Sequence, residues 1–351
     1  MFHLGVDAWN LLGDRRGIGR YARALIREWS TTFASEVELT LLVPQSPAWW
    51  YAARYQRETA GRKLRVRNRG AAARARCDAL WFPWNGLSWS APGPKVAVLH
   101  DASLFALPIP PAVRDRELRP FRRAVAEGAH IITDSHDSKR QLMGYLHLPA
   151  ASIDVVHLGV DMPPEEPARR ASTSEFGQRF ILFVGEFEER KGLDVLSGAF
   201  ALLPEKLRSE TALVLAGETR GIKPPVPSDS AFVLGHVSDA KLAQLYRDAA
   251  AFVFPSRYEG FGLPVLEAMA RGAPVIASDA ASVVEAGGDA ARYFQNGNAS
   301  DLALAIAEIL CNPGLAEDLR RRGKQRAKAM PWATTARRTL EIIARQSRRS
   351  V

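Results

Sequence analysis

Short runs of consecutive apolar residues, each closed by turn residues and followed by a stretch with helical spacing, recur along this chain. F-I-L-F-V at 180–184 and A-F-V-F at 251–254 contain no polar position. A strand with one wet face alternates, so an unbroken apolar run suits a strand covered on both faces, as in a parallel sheet. The runs predict strands at Phe2–Val6, Val37–Val43, Ala79–Phe82, Lys95–Leu99, His130–Thr133 and Ile153–His157. A second series follows at Phe180–Val184, Ala212–Leu215, Phe232–Leu234, Ala251–Phe254 and Pro274–Ala277. Between them the spacing predicts helices at Ile18–Glu28, Leu193–Leu203, Lys241–Ala249, Pro264–Ala270 and Leu302–Leu310, and one at Ser135–Tyr145 with Ser135 as N-cap. Strand–helix alternation of this kind predicts an α/β chain built on doubly wound parallel sheets.

The alternation stops at Asp161–Gln178, which is rich in Pro, Ser and charge and has no period, as expected of a linker. Each side carries its own strand–helix series, and 351 residues suffice for two domains that each bury a core. The expectation is two Rossmann-like domains, 1–162 and 163–331, with a cleft between them and a helical stretch at Trp332–Gln346.

Composition narrows the class. A hydrophobic fraction of 47% and a charged fraction of 24% are those of a globular protein. No stretch approaches the ~18 apolar residues of a spanning helix, and the first residues read as a strand rather than a targeting peptide. Two cysteines, Cys77 and Cys311, lack metal-ligand spacing, which points to a reducing cytoplasmic setting. The net charge of +9 is uneven: residues 1–160 hold 22 Lys/Arg against 14 Asp/Glu, residues 161–351 hold 25 against 24. The excess gathers at Arg62, Lys63, Arg65, Arg67, Arg69, Arg74 and Arg76, and at Arg114, Arg116, Arg119, Arg122 and Arg123. Nucleic acid, an anionic membrane surface, or simply a solvated arginine-rich face would each account for it.

Two segments carry candidate chemistry. Glu259-Gly260-Phe261-Gly262-Leu263-Pro264-Val265-Leu266-Glu267 follows a strand and opens a helix, with Pro264 suited to the first helical position. Its glycines let backbone approach a ligand, and a free helix N-terminus offers N–H groups and a positive dipole end to a diphosphate. The flanking glutamates, acceptor-only when ionised, suit sugar or ribose hydroxyls better than phosphate. Val184-Gly185-Glu186-Phe187-Glu188-Glu189-Arg190-Lys191-Gly192 likewise links a strand to a helix. Arg190 and Lys191 could neutralise a diphosphate leaving group, or pair at the surface with Glu188 and Glu189.

Together these segments, continued through L-G-H-V-S-D-A-K-L and A-M-A-R-G-A-P-V-I-A-S-D, resemble the C-terminal half of glycosyltransferase family 4. In the first half G-I-G-R-Y, V-L-H-D at 98–101, I-I-T-D-S-H-D-S-K-R and I-D-V-V-H-L-G-V-D agree. The resemblance implies the GT-B fold, two Rossmann-like domains facing across a donor-binding cleft, with the C-terminal helix 332–351 returning to the first domain. It implies a retaining, metal-independent transferase with no cofactor beyond its nucleotide-sugar donor. Residue by residue, it gives Arg190, Lys191 and Gly185 to the donor diphosphate and Glu259 to the transferred sugar. Gly260, Phe261, Gly262 and Leu263 would reach its hydroxyls and phosphates, and Glu267 would hold the ribose. Gly17 and Gly19 would form a loop near the phosphates and acceptor, with His100 and Asp101 by the donor sugar. Glu186 departs from the pattern, since many relatives carry Arg after the strand glycine. The R-K segment is closer to the bacterial mannosyl- and rhamnosyltransferase branch. That implies GDP-mannose as donor, or a dTDP-, UDP- or GDP-linked rhamnose or glucose. It further implies a glycan or lipid-linked acceptor of surface polysaccharide or lipopolysaccharide synthesis, and a peripheral site at the inner face of the plasma membrane.

Other functions make distinct demands. Gly17-Ile-Gly19-Arg20-Tyr21-Ala22 has dinucleotide-fingerprint spacing, but Ala8–Arg16 separates it from the strand whose tight turn a nicotinamide enzyme needs. A nucleic-acid-binding protein would use the basic first half and leave the Glu259–Glu267 segment without a task. A sugar-nucleotide epimerase or glycan phosphorylase shares the architecture. His136, His147 and His157 read as structural.

Overall fold

A computed structural model of the chain describes residues 1–14, 17–44, 54, 64–70, 77–164, 176, 179–221 and 231–349. Two compact units divide it: Met1–Gly159 together with Trp332–Val351, and Val160–Pro331. Arg62, Lys63, Arg74 and Arg76, and most of the expected linker, lie outside the described residues.

In the first unit, parallel strands run in the order β3-β2-β1-β4-β5-β6-β7. They are β1 (Phe2–Asp7), β2 (Val37–Val43), β3 (Arg65–Asn68), β4 (Ala79–Phe82), β5 (Lys95–Val98), β6 (His130–Thr133) and β7 (Ile153–Val155). The apolar runs are the buried strands: every residue of Ala79–Phe82 and His130–Thr133 is buried. β3, Arg-Val-Arg-Asn, escapes the pattern because it is an edge strand with two exposed arginines. β7 ends at Val155, short of the expected His157, although the Val156 amide still donates to Thr133 O at 2.9 Å.

The helix Pro111–Ala126 was also hidden, behind its internal Pro120. Leu118, Phe121 and Ala124 at helical spacing enter the core and hold it in place despite the missing N–H. The final helix, Trp332–Arg349, packs on this unit. Buried Trp29 donates from Nε1 to Ala336 O at 3.0 Å, Thr335 Oγ1 donates to His157 O at 2.9 Å, and Arg337 forks onto Glu36.

In the second unit the parallel order is β10-β9-β8-β11-β12-β13. The strands are β8 (Arg179–Val184), β9 (Thr211–Ala216), β10 (Ala231–Gly235), β11 (Ala251–Phe254), β12 (Val275–Ser278) and β13 (Arg292–Phe294). The core joins Ile181, Phe183, Phe200, Leu213, Val253 and Ile306. Strands after β8 add on one side and strands after β11 on the other, so the order reverses between β8 and β11. A crevice outside the strand C-termini at such a reversal is where open α/β sheets bind ligands. Among the described residues no single helix is long and apolar enough to cross a membrane.

Candidate donor site

Both segments singled out by sequence emerge at that reversal, one from β8 and one from β11. After β8 the chain turns at Gly185 and passes through a single 3-10 turn, Glu189–Lys191, into the helix Leu193–Leu202. After β11 it runs through Ser256–Phe261 into the helix Leu263–Ala270. Gly262 caps that helix at φ 109, so Pro264 is its second residue, not its first. The second N–H is also outside the intrahelical ladder, which is why proline is tolerated there. Phe261 is buried, leaving only its backbone to a ligand. Glu267 lies half-buried, one turn into the helix.

The two loops are registered by contacts that a close approach makes possible. The Arg257 amide donates to Arg190 O at 2.7 Å. Gly192 sits at φ 66 with its missing Cβ aimed at Pro255 O, 2.2 Å from where that carbon would lie. Arg257 also forks onto Asp194 at 2.8 and 2.5 Å, and Ser282 Oγ donates to Glu259 O at 2.7 Å.

What meets at the centre is more tightly organised than separate phosphate and sugar ligands would be. Lys191 Nζ donates to Glu259 Oε1 at 2.6 Å, and Arg190 Nη1 donates to Glu259 Oε2 at 3.2 Å. Arg190 Nε reaches Glu188 Oε2 at 2.8 Å, and Lys191 lies 5.6 Å from the centre of the Phe254 ring. Burial alone would raise the Glu259 carboxyl; the Lys191 ammonium and Arg190 guanidinium outweigh it and hold the group below the ordinary carboxylate range. Glu188 is likewise raised by burial and lowered further by Arg190, a hydrogen bond with Glu186, and Arg220, ending below its ordinary value. Sequence reasoning gave Glu259 to hydroxyls and the cations to phosphate. The geometry makes them one ion-paired unit, although Lys191 and Glu259 stand 68 positions apart in the chain.

Sequence reasoning missed Arg220, which reaches Glu186 with Nη2 and Glu188 with Nη1, the latter at 3.2 Å. Its signal was a layout like that of β8: a strand, a glycine, then a basic residue before another glycine, Gly217-Glu-Thr-Arg220-Gly221.

The remaining expected residues belong to the first unit. The helix Gly17–Ser30 begins ten residues beyond the end of β1, so its glycines do not form a dinucleotide-type tight turn. The two glycines differ. A Cβ on Gly19 would lie 1.8 Å from Asp14 O, whereas one on Gly17 would meet nothing within 4 Å among the described residues. Gly19 therefore serves chain crossing, and Gly17 leaves open space at the helix start.

His100, two residues past β5, is buried with both ring nitrogens engaged: Nδ1 is 2.8 Å from Asp134 Oδ2 and Nε2 is 3.0 Å from Pro83 O. Asp101 Oδ1 accepts from the Ser103 amide at 2.8 Å. His136 and His157 meet edge to face, their centroids 5.7 Å apart.

Burial opposes charge on His100, but Asp134, the Pro83 carbonyl and Asp101 outweigh it and raise its pKa above the ordinary 6.5. Burial also raises the Asp134 carboxyl, against the pull of His100, so the two side chains compete for one proton; with that proton on the ring, both nitrogens donate, to Asp134 and to the Pro83 carbonyl. A raised folded-state pKa makes this contribution complete below about pH 6.5 and removes it as pH climbs through the folded value. Melting temperature should therefore fall more steeply from pH 6 to 9 in the native chain than in His100→Gln. Parallel slopes would mean that the ring is neutral.

Comparison with known proteins identifies the family. The model of the family described as "Glycosyl transferases group 1" matches residues 165–326. The O-antigen chain mannosyltransferase B of Escherichia coli is 30% identical over 262 residues, covering 70% of this chain and 68% of that protein. A D-inositol 3-phosphate glycosyltransferase of Mycolicibacterium gilvum is 31% identical over 202 residues, 52% of this chain but only 44% of its own length. Among solved structures, Anabaena HepE in complex with UDP and glucose superposes with a TM-score of 0.72 at 15% identity, covering 98% of this chain and 99% of that one, and so shares the GT-B fold of two Rossmann-like domains. With the fold and these relatives in agreement, the chain belongs to the group 1 glycosyl transferases and is a glycosyltransferase.

Proposed function

We propose that this chain is a retaining, metal-independent hexosyltransferase that moves mannose from GDP-mannose to a glycan or lipid-linked acceptor of a bacterial surface polysaccharide. The observation that carries the reading is the meeting of the Glu186–Lys191 and Ser256–Leu263 loops at the strand-order reversal between β8 and β11. The choice of mannose leans on the likeness to the O-antigen mannosyltransferase.

In this reading Arg190 and Lys191 hold the diphosphate together with the N–H groups at Phe261, Gly262 and Leu263, with Gly185 and Gly260 leaving room for it. They supply the positive charge that a metal would otherwise bring. Glu259 presents Lys191 and Arg190 in fixed positions and accepts from a sugar hydroxyl, while Glu267 takes the ribose. The leaving phosphate accepts the acceptor proton as the new bond forms on the same face of the sugar. Gly17 and Gly19 shape the acceptor-side loop, and His100 acts there as a fixed cation beside Asp101 rather than through a free ring nitrogen.

A membrane surface is the proposed partner of the helix Pro111–Ala126. Part of its arginine set is already occupied: Arg122 pairs with Asp115 at 3.1 Å, Arg116 with Glu117 at 2.9 Å, and Arg123 donates to Leu87 O at 3.1 Å. Cytoplasmic-face attachment therefore leans on Arg119 and the helix's net positive charge.

The deciding experiment incubates the chain with GDP-, UDP- and dTDP-sugars, with and without EDTA. It reads released nucleoside diphosphate and the anomeric configuration of the product by NMR. GDP-mannose should give the fastest release, insensitive to EDTA, with an α-linked product. Preference for another donor, EDTA-sensitive release, or an inverted product would each overturn the corresponding part.

A further inference from the structure

Six charged side chains alternate along one line at the C-terminal ends of β9, β8 and β11: Glu186, Arg220, Glu188, Arg190, Glu259 and Lys191. Each neighbouring pair is in contact. Three cations face three carboxylates, so the row carries no net charge. A polyanionic ligand cannot be drawn in by surplus charge here; it must exchange with the carboxylates that already occupy the cations. Among the three cations exposure rises from 10% for the Lys191 side chain through 27% for Arg190 to 45% for Arg220. Arg220 is the cation that an incoming anion meets first.

The loop that carries it is anchored two to three residues earlier. The loop after β9 is stitched to the loop after β8: Phe187 N donates to Glu218 O at 2.9 Å, and a Cβ on Gly217 would lie 1.9 Å from Gly185 O. Arg220 itself sits at φ 47, a left-handed conformation unusual for a residue with a side chain. The guanidinium so delivered meets two carboxylates, and one of these, Glu188, bridges it to Arg190. The planar guanidinium fork fits phosphate oxygens as well as carboxylate oxygens, so exchange needs no new geometry.

We propose that Arg220 is a third phosphate-binding residue of the donor site, held by Glu186 and Glu188 until the diphosphate of a nucleotide replaces those carboxylates. This rests on the donor-site reading above. It makes Glu186 a competitor of the ligand, which gives the two ends of one ion pair opposite effects.

The test is calorimetric titration of GDP, UDP and dTDP, and of their monophosphates, into the full native chain, Arg220→Gln, Glu186→Gln and the double variant. For the diphosphate that the native chain binds, Arg220→Gln should weaken affinity by about tenfold, while the monophosphate changes by no more than about twofold. Glu186→Gln should tighten the diphosphate by about threefold, and that gain should vanish in the double variant. Both effects should shrink as salt is raised. If the native chain binds none of the three diphosphates, the donor-site reading falls and this assignment with it. If it binds one and Arg220→Gln binds that ligand as tightly, only the assignment to Arg220 falls. If both single variants weaken binding alike, Arg220 and Glu186 form a structural pair and the competition is refuted. Should Arg220→Gln melt below the assay temperature, the sign of the Glu186→Gln effect decides alone.

Discussion

Lys191→Ala is expected to lower the rate of sugar transfer by about 100-fold or more, the scale seen when one preorganised donor to developing negative charge is removed. The Lys191 ammonium is buried, 2.6 Å from Glu259 and above the Phe254 ring. Water screens it little there, and its position is set before any ligand arrives. The substitution has a second effect. It leaves the buried Glu259 carboxylate with Arg190 as its remaining cation, and a half-broken buried ion pair costs about 3–5 kcal/mol of stability. Activity and stability must therefore be separated. In Lys191→Ala/Glu259→Gln the uncompensated charge is gone, so melting temperature should recover while transfer stays low. Near-native turnover in the single variant would remove Lys191 from the donor site.

The second large effect is on the scaffold. Gly192→Ala should destabilise the second unit by about 3 kcal/mol, because the new methyl would have to displace the Pro255 carbonyl as well as adopt a left-handed backbone. For a unit of this size that corresponds to a fall of about 6–12 °C in melting temperature. Gly221→Ala is the matched control. Gly221 sits at φ 77, close to the 66 of Gly192, but among the described residues nothing lies within 4 Å of its missing Cβ. It should lose only the left-handed penalty, about 1 kcal/mol. Equal melting temperatures for the two would mean that the approach to Pro255 imposes no constraint. Because the Arg190–Arg257 backbone bond lies beside this contact, Gly192→Ala should also lose transfer activity at temperatures where it remains folded.

The strand series was legible because strands covered on both faces are written as unbroken apolar runs; F-I-L-F-V and A-F-V-F needed no further information. Arg65–Asn68 was not, because an edge strand has little burial to impose a pattern. Pro111–Ala126 was not, because proline and a crowd of arginines outvote three core residues when read locally. The two site loops were legible as strand–glycine–helix junctions, each complete within about ten residues. Their mutual pairing was not. That Glu259 holds Lys191, and that Arg220 meets Glu186, depends on which strands are neighbours, and strand order is a property of the sheet rather than of any segment. For the same reason His100 stood out as a histidine after a strand, while the acceptors on both its ring nitrogens, Asp134 and Pro83, come from separate stretches of chain.

The return of the helix Trp332–Arg349 to the first unit bears on how the molecule is made. The second unit is continuous in sequence, so its sheet can assemble as soon as Pro331 has left the ribosome. The first unit is split. Its strands precede the second unit, yet Trp29 and the helix that carries it lack their cover, and the hydrogen bond to Ala336, until Trp332–Arg349 has been synthesised. Of the two units, the one begun earlier is thus completed later. During elongation it presents an uncovered face for the whole time that the other half is folding, and a chain cut short before Trp332 would display that face permanently.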